Sequence, residues 1–354
     1  ASMMMLAGAK AEEATDLVAT LNHDGKMLAY YGQGALKDAY TAARDGDIIT
    51  LSAGTFTGVD MKKNITLRGV GALDEPSTGN RKTSISGKIH VTLQNNDYEF
   101  VAEGIYFSAV DVTSVTQKEC TFSKSYFSSY FESSYDMAGI NFGSYVYAKV
   151  RNCVVNYDVV LYKGFCSNCV INRVKAYSGT APIVLQNCVI KNFTAWQYYN
   201  FDEDVLTNCI LIGTSDPQIL SSSNDVHNCV LFSRQVKSTD VFKSITNDSN
   251  MIVEDRENFF KNTNVVTKTV DDYGDATSYG VNADPLGTDW ASGLYELSDD
   301  AKQLYKGDDG TVVGVWGGTT PFDFVPNNPR LSKCEIVPRV GDDGKLNITI
   351  EVAQ

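Results

Sequence analysis

One short phrase returns five times between residues 151 and 231, and it constrains the fold more than anything else in the chain. A polar residue is followed by Asn, Cys and two branched apolar residues. The copies are Arg151-Asn152-Cys153-Val154-Val155, Ser167-Asn168-Cys169-Val170-Ile171, Gln186-Asn187-Cys188-Val189-Ile190, Thr207-Asn208-Cys209-Ile210-Leu211 and His227-Asn228-Cys229-Val230-Leu231. From Cys153 onward the steps between these cysteines are 16, 19, 21 and 20 residues. A period of about 20 residues with one β-type phrase per repeat marks a solenoid, in which each repeat buries its apolar face only against its neighbours. Each phrase is expected to be one strand of one coil of a parallel β-helix. Lys118-Glu119-Cys120-Thr121-Phe122 reads as a worn earlier copy.

In a strand, alternate side chains share a face. Cys153 and Val155 therefore point one way, as do Cys169/Ile171, Cys188/Ile190, Cys209/Leu211 and Cys229/Leu231. Stacked strands lie about 4.8 Å apart, so like residues form ladders. A ladder of Cys and Val, Ile or Leu suits a narrow dry core, where a free thiol behaves as a small hydrophobe. Ladder neighbours have parallel Cβ vectors, which suit disulfide geometry poorly, so buried thiols are expected. The pair Cys166/Cys169 has no second pair to complete a zinc site. Asn152, Asn168, Asn187, Asn208 and Asn228 suit a bend closed to most residues. Their stacked side chains are expected to hydrogen-bond from coil to coil.

The remaining branched residues, Val154, Val170, Val189, Ile210 and Val230, must point outward. Five in register make a contiguous apolar stripe, which needs a cover. Either the segment after residue 232, with Phe259, Phe260 and Leu304, folds back over the stripe, or a second molecule covers it and the chain oligomerises.

The flanks divide the chain further. Residues 1–11 are small and apolar and end in Ala9-Lys10-Ala11, which reads as the remnant of a secretory signal. Residues 12–47 hold two strands about the turn His23-Asp24-Gly25-Lys26, then a helix whose Leu36, Ala39, Tyr40 and Ala43 share a face. That helix is expected to cap the open end of the coil stack. Residues 48–232 form the stack, and 233–330 form irregular coils and a C-terminal capping region. Within the latter a short helix is expected at 254–262, an Asp/Gly/Thr loop at 268–290, and a helix N-cap at Ser298. Residues 331–354 form a terminal hairpin, a candidate attachment module.

The run Ala35-Leu36 to Ala39, Ala42-Ala43-Arg44-Asp45-Gly46-Asp47-Ile48-Ile49 and Ala53-Gly54-Thr55-Phe56 resembles the entry to pectin-lyase-like right-handed parallel β-helices. Asn64-Ile65-Thr66-Leu67-Arg68-Gly69-Val70-Gly71 resembles the first full coil of that fold, and Glu103-Gly104-Ile105-Tyr106-Phe107 a later one. The resemblance covers roughly residues 34–232 and implies an all-β, right-handed parallel β-helix. The whole chain also resembles exported β-helix proteins common in gut Bacteroidetes. Lyases of the superfamily use acid-bound calcium with an Arg or Lys base, and related hydrolases use aspartates on neighbouring coils. Neither pattern is visible in this sequence.

A net charge of −13 argues against nucleic acid and an anionic membrane surface. It also argues against a polyanionic substrate unless a cation bridges. No stretch is long enough to span a membrane as a helix. The 19 tyrosines, with abundant Asn, Ser and Thr, make a surface suited to neutral sugars. Candidate ligand-binding residues are Tyr135, Tyr145 and Tyr147 in an aromatic run, and Trp196, Tyr198 and Tyr199 in another. Asp202, Glu203 and Asp204 form the densest acidic run near aromatics and are the candidate acid or base residues, with Arg151, Lys163 and Lys175 as basic partners for a lyase. Asp271, Asp272 and Asp275 are candidate calcium ligands; no other cofactor is implied. The expectation is an exported protein, periplasmic, outer-surface or extracellular. Its leading role is non-catalytic binding of a polysaccharide or a cell-surface partner. A polysaccharide lyase or hydrolase, and a structural subunit of a surface assembly, are the alternatives.

Overall fold

The structure is a computed structural model that describes residues 17–74, 81–132, 137–177, 182–193, 205–213, 225–233, 249–281, 295–327, 330–336 and 348–353. The proposed signal remnant, Tyr135, Trp196, Tyr198, Tyr199, Asp202, Glu203 and Asp204 lie outside the described residues.

Two long sheets of eleven and twelve strands dominate the described chain, and most of their pairings are parallel. The first sheet opens on an antiparallel hairpin, Val18–His23 with Lys26–Tyr31. Asp24 (φ 48°) and Gly25 (φ 75°) turn it, a pair of positive angles that matches the twist of the two strands. From Ile48–Leu51 onward every pairing in this sheet is parallel, through Lys118–Ser123, Val146–Arg151 and Gly164–Ser167 to Asp225–His227. The second sheet runs from Tyr106–Ser114 through Tyr126–Phe127 to Val154–Leu161, then to Val170–Ala176, Val189–Phe193, Ile210–Gly213 and Val230–Ser233, all parallel, with register shifts after Val155 and Ile190. The chain alternates between the sheets once per repeat, an arrangement compatible with a coil stack.

The helix α1 (Ala35–Ala42) forms where the spacing predicts it and buries Ala35, Leu36, Ala39 and Tyr40. Its last carbonyls need partners. Lys63 Nζ supplies them, donating to the carbonyls of Tyr40 (2.7 Å), Thr41 (3.0 Å) and Ala43 (2.7 Å). The helix packs against the first strands, but the sheet's outer edge is the hairpin strand Lys26–Tyr31. The expected helical cap is thus not what closes that edge.

Each phrase of the repeat bends between the sheets at its asparagine. Asn152, Asn168, Asn187, Asn208 and Asn228 all take φ between 48° and 56°. Asn tolerates this left-handed region better than other residues with a Cβ. The backbone ladder runs on through the bend, with the Asn168 amide donating to the Gln186 carbonyl and the Val170 amide to the Cys153 carbonyl. The worn copy is misplaced, because Cys120 pairs with Ala148, one strand earlier in the coil. The true earlier phrases are Lys124-Ser125-Tyr126-Phe127 and Gly104-Ile105-Tyr106-Phe107. Tyr126 pairs with both Val154 and Tyr106, and Lys124 and Gly104 hold φ 50° and 68°. The sequence singles out the second of these as a coil by resemblance, but Lys124-Ser125-Tyr126-Phe127 carries no Asn or Cys to mark it. Ser249 (φ 78°) occupies the same bend after the last phrase.

Two apolar cores share these strands. The inner one contains Cys153, Cys169, Cys188, Cys209 and Cys229 with Val155, Ile171, Ile190, Leu211 and Leu231. Seven cysteines, the five of the ladder with Cys120 and Cys166, are free and buried, and burial pushes the thiols of Cys166, Cys169, Cys188 and Cys229 up. The outer core contains Val154, Val170, Val189, Ile210 and Val230, covered by Phe259, Phe260, Tyr295, Leu297, Tyr305, Val313, Val315 and Phe322. The stripe is therefore covered by the chain's own later segment, which removes it as a free oligomer surface. Leu304 takes no part; it faces solvent at the end of α2 (Asp299–Leu304). Ser298 caps that helix, its Oγ accepting from the Ala301 amide. Residues 254–262 form bends rather than a helix, followed by a 3-10 turn at Thr263–Val265. The expected loop at 268–290 is in part a hairpin, Val266–Val270 with Ala276–Val281. Near the C-terminal end, Arg330–Ile336 pairs antiparallel with Ile348–Ala353.

Candidate ligand cleft

The asparagine corner is a rail on which residues 307–327 lie as a strap. Asn208 Nδ2 donates to Asp308 Oδ1 (2.7 Å), and the Asp308 amide returns a bond to Asn208 Oδ1 (3.1 Å). Asn168 Nδ2 donates to the carbonyls of Val315 and Gly317, both at 2.9 Å. Asn152 Oδ1 accepts from the Asp323 amide (3.3 Å). Lys124 Nζ reaches Asp323 Oδ2 (2.8 Å) and the Val325 carbonyl (2.5 Å), and the Asn327 amide donates to Glu103 (3.0 Å). Gly318 passes so close to Asn187 that a Cβ there would lie 2.3 Å from Nδ2. Asn152, Asn168 and Asn208 thus bond outward to the strap rather than from coil to coil. A coil-to-coil amide contact does occur, but between Asn192 and Asn172.

Where the strap leaves the sheet, it forms one wall of a cleft of about 650 Å³. The opposite wall is the outward face of the first sheet, with Tyr147, Arg151, Phe165, Val184 and Gln186. Parallel register stacks these residues, since Lys149 pairs with Phe165 and Arg151 with Ser167, while Phe165 pairs with Val184. The strap supplies Gly318, Thr319, Thr320, Pro321 and Asp323, and the corner supplies Lys124, Asn168 and Asn187. Tyr147 meets the Phe165 ring edge-on at 6.4 Å. The Arg151 guanidinium lies over the Phe165 face at 4.7 Å. Asn187 Oδ1 is buried without a hydrogen-bond partner. Aromatic faces, amide and hydroxyl groups and a guanidinium can together hold a polar ligand that has an apolar face.

Beside Tyr147 stands a carboxylate pair. Glu119 pairs in register with Tyr147, and Glu99 precedes Phe100, the partner of Cys120. Lys149 Nζ lies 2.5 Å from Glu119 and 3.4 Å from Glu99. A hydrogen bond shared with Glu119, then burial, raises the pKa of Glu99. The same bond from Glu99 and one from Lys149 lower that of Glu119. Burial works to lower the pKa of Lys149, but the Glu119 bond and both carboxylate charges raise it.

The other expected site residues scatter. Tyr145 is half-exposed in a turn outside the cleft lining. Of the three basic residues, only Arg151 enters the cleft. Lys163 is buried and bonded to Gln117, and Lys175 is buried 3.0 Å from Asp158. Arg173 completes that buried cluster with a two-pronged contact to Asp158 (2.9 and 2.8 Å). Asp271, Asp272 and Asp275 sit at a hairpin tip, where Asp271 Oδ1 accepts the amides of Tyr273 (3.0 Å) and Asp275 (2.9 Å). Among the described residues no group of three or more His, Cys, Asp or Glu side chains is placed to hold a metal ion. His90 accepts no role in the cleft; its Nδ1 lies 3.1 Å from Asp111, which also accepts from Asn141 (2.6 Å). Sequence reading missed Phe165, Gln186 and the strap wall. The available signal was period-two spacing backward from Arg151, which places Lys149 and Tyr147 on the same outward face.

No known protein family, curated protein or solved structure is matched by this chain.

Proposed function

We propose that this chain is a right-handed parallel β-helix protein, exported to the periplasm or cell surface, that binds a saccharide without cleaving it. The observation that carries the reading is the cleft in which Tyr147 and Phe165 present aromatic surface beside Arg151, Gln186, Asn168 and the strap threonines. Sugar rings stack an apolar face on aromatic rings while amides and hydroxyls take their hydroxyl groups. The strap matters to this reading because the second wall comes from a distant part of the chain. A glycan array on the intact protein, followed by Tyr147→Ala and Phe165→Ala, tests it. Binding should fall at least tenfold in each variant with the melting temperature held within a few degrees. Array binding that both variants retain in full would remove the cleft as the site.

A second reading is favoured by one observation, the carboxylate pair Glu99/Glu119 with Lys149 beside Tyr147. Two carboxylates of unlike proton affinity are the usual equipment for cleaving a glycosidic bond. Reducing-sugar and unsaturated-product assays on the array hits decide between binding and cleavage. Turnover abolished by Glu119→Gln would make the protein an enzyme.

A further inference from the structure

The cleft's charge singles out one kind of ligand. Its charged lining residues are Lys124, Arg151 and Asp323. Lys124 and Asp323 neutralise each other at 2.8 Å. Among the described residues no carboxylate pairs with Arg151; its guanidinium contact is the Phe165 ring. An exposed arginine without a partner is ordinary on a basic protein. Here the net charge is −13, and the guanidinium sits 4.7 Å over the Phe165 ring at the mouth of the cleft. Stacking leaves the guanidinium edge free, and that edge matches the two oxygens of a carboxylate or sulfate. One flank of the cleft is unsuited to a second anion, because Glu119 and Glu99 share a single lysine beside Tyr147.

We propose that the cleft recognises a saccharide bearing one anionic group, a carboxylate or a sulfate ester, seated on Arg151 and flanked by neutral sugars. This deepens the saccharide reading and rests on it. It also departs from what the whole-chain charge implies. An acidic protein disfavours a polyanion along its surface, but one local cation in a partly enclosed cleft selects a single charge.

Calorimetric titration with three size-matched trisaccharides tests the proposal. The first carries a central uronic acid between neutral hexoses, the second is its carboxyl-reduced counterpart, and the third carries a sulfate ester on the central sugar. At least one charged probe should bind the intact protein about tenfold or more tighter than the neutral one, and the stronger of the two identifies the group. The advantage should shrink as salt is raised from low to physiological strength. In Arg151→Gln the three affinities should converge to within about twofold, and Arg151→Lys should keep part of the preference. Phe165→Leu serves as a second variant; it leaves the charge in place but removes the platform, and should weaken the preference. Equal binding of charged and neutral probes by the intact protein overturns the anionic assignment and leaves the saccharide cleft standing. Binding of no probe, or binding indifferent to Tyr147→Ala and Phe165→Ala, overturns the cleft reading itself.

Discussion

The two apolar cores are built from adjacent residues of the same strands and differ in almost everything else. Ile190 faces inward among the ladder thiols; Val189 faces outward beneath the strap. The inner core is made by repetition. Every repeat contributes the same positions, so each packs against its neighbours in the stack. The outer core is made by one non-repeating segment, whose Phe259, Phe260, Tyr305, Val315 and Phe322 come from 29 to 92 residues beyond Val230. Local register suffices for the first core. The second forms only after long loops close, at an entropic cost that grows slowly with length.

The sharpest way to break the comparison is to place the same charge on each side of one strand. Ile190→Asp buries an unpaired carboxylate between the sheets and should prevent the stack from folding, seen as loss of the β signal in circular dichroism. Val189→Asp should instead release the strap, with a loss of a few kcal/mol in the denaturant midpoint and early proteolysis confined to residues after 249. Equal damage from both substitutions would show one cooperative core.

Next in size is Phe260→Ala. Its ring contacts Phe232, Phe259 and Tyr295 at centroid distances of 5.7, 4.8 and 5.4 Å. Removal should destabilise the protein by about 3–5 kcal/mol in chemical denaturation. A loss below about 1 kcal/mol would mean that the outer core is loosely packed.

A smaller effect separates the two duties of the corner asparagine. Asn208→Gly keeps the bend but loses both bonds to Asp308, whereas Asn208→Ala also strains the left-handed backbone by about 1–2 kcal/mol. Alanine should therefore be the less stable of the two variants. The reverse order would assign the asparagine to the strap alone.

The smallest effect is expected at Lys124→Ala, about 1 kcal/mol or less, because its partner Asp323 is half-exposed and solvent screens the pair. On the inner side, thiol titration of the native protein should find few reactive groups, with the ladder cysteines appearing only on denaturation.

What the sequence disclosed follows the same division. Alternation of Cys153, Val154 and Val155 announced both faces, because side-chain direction in a strand is set by position alone. The need for a cover over Val154, Val170 and Val189 followed from burial, and Phe259 and Phe260 were legible as its members. The duty of the asparagines was not. An amide can bond along the ladder or away from it, and only the path of residues 307–327 decides which. The cleft was half legible for the same reason. Tyr147 and Arg151 stood out in the repeat region, but Thr319, Thr320 and Asp323 lie some 170 residues further on, in a stretch without periodicity. Phe165 precedes the recurring phrase that begins at Ser167, so nothing in the repeat marks it.

The strap runs backward along the stack, from Asn208 through Asn168, Asn152 and Lys124 to Glu103. That gives it the character of a ruler. Stacks of repeated parallel strands ordinarily gain or lose whole repeats with little penalty, since each copy docks on the last. Here a coil inserted between Asn152 and Asn208 would lengthen the rail by about 4.8 Å while the strap stayed the same length. Every contact beyond the insertion would fall one rung short, from Asp323 to Asn327. The number of coils in this part of the molecule is therefore counted by a segment that belongs to none of them.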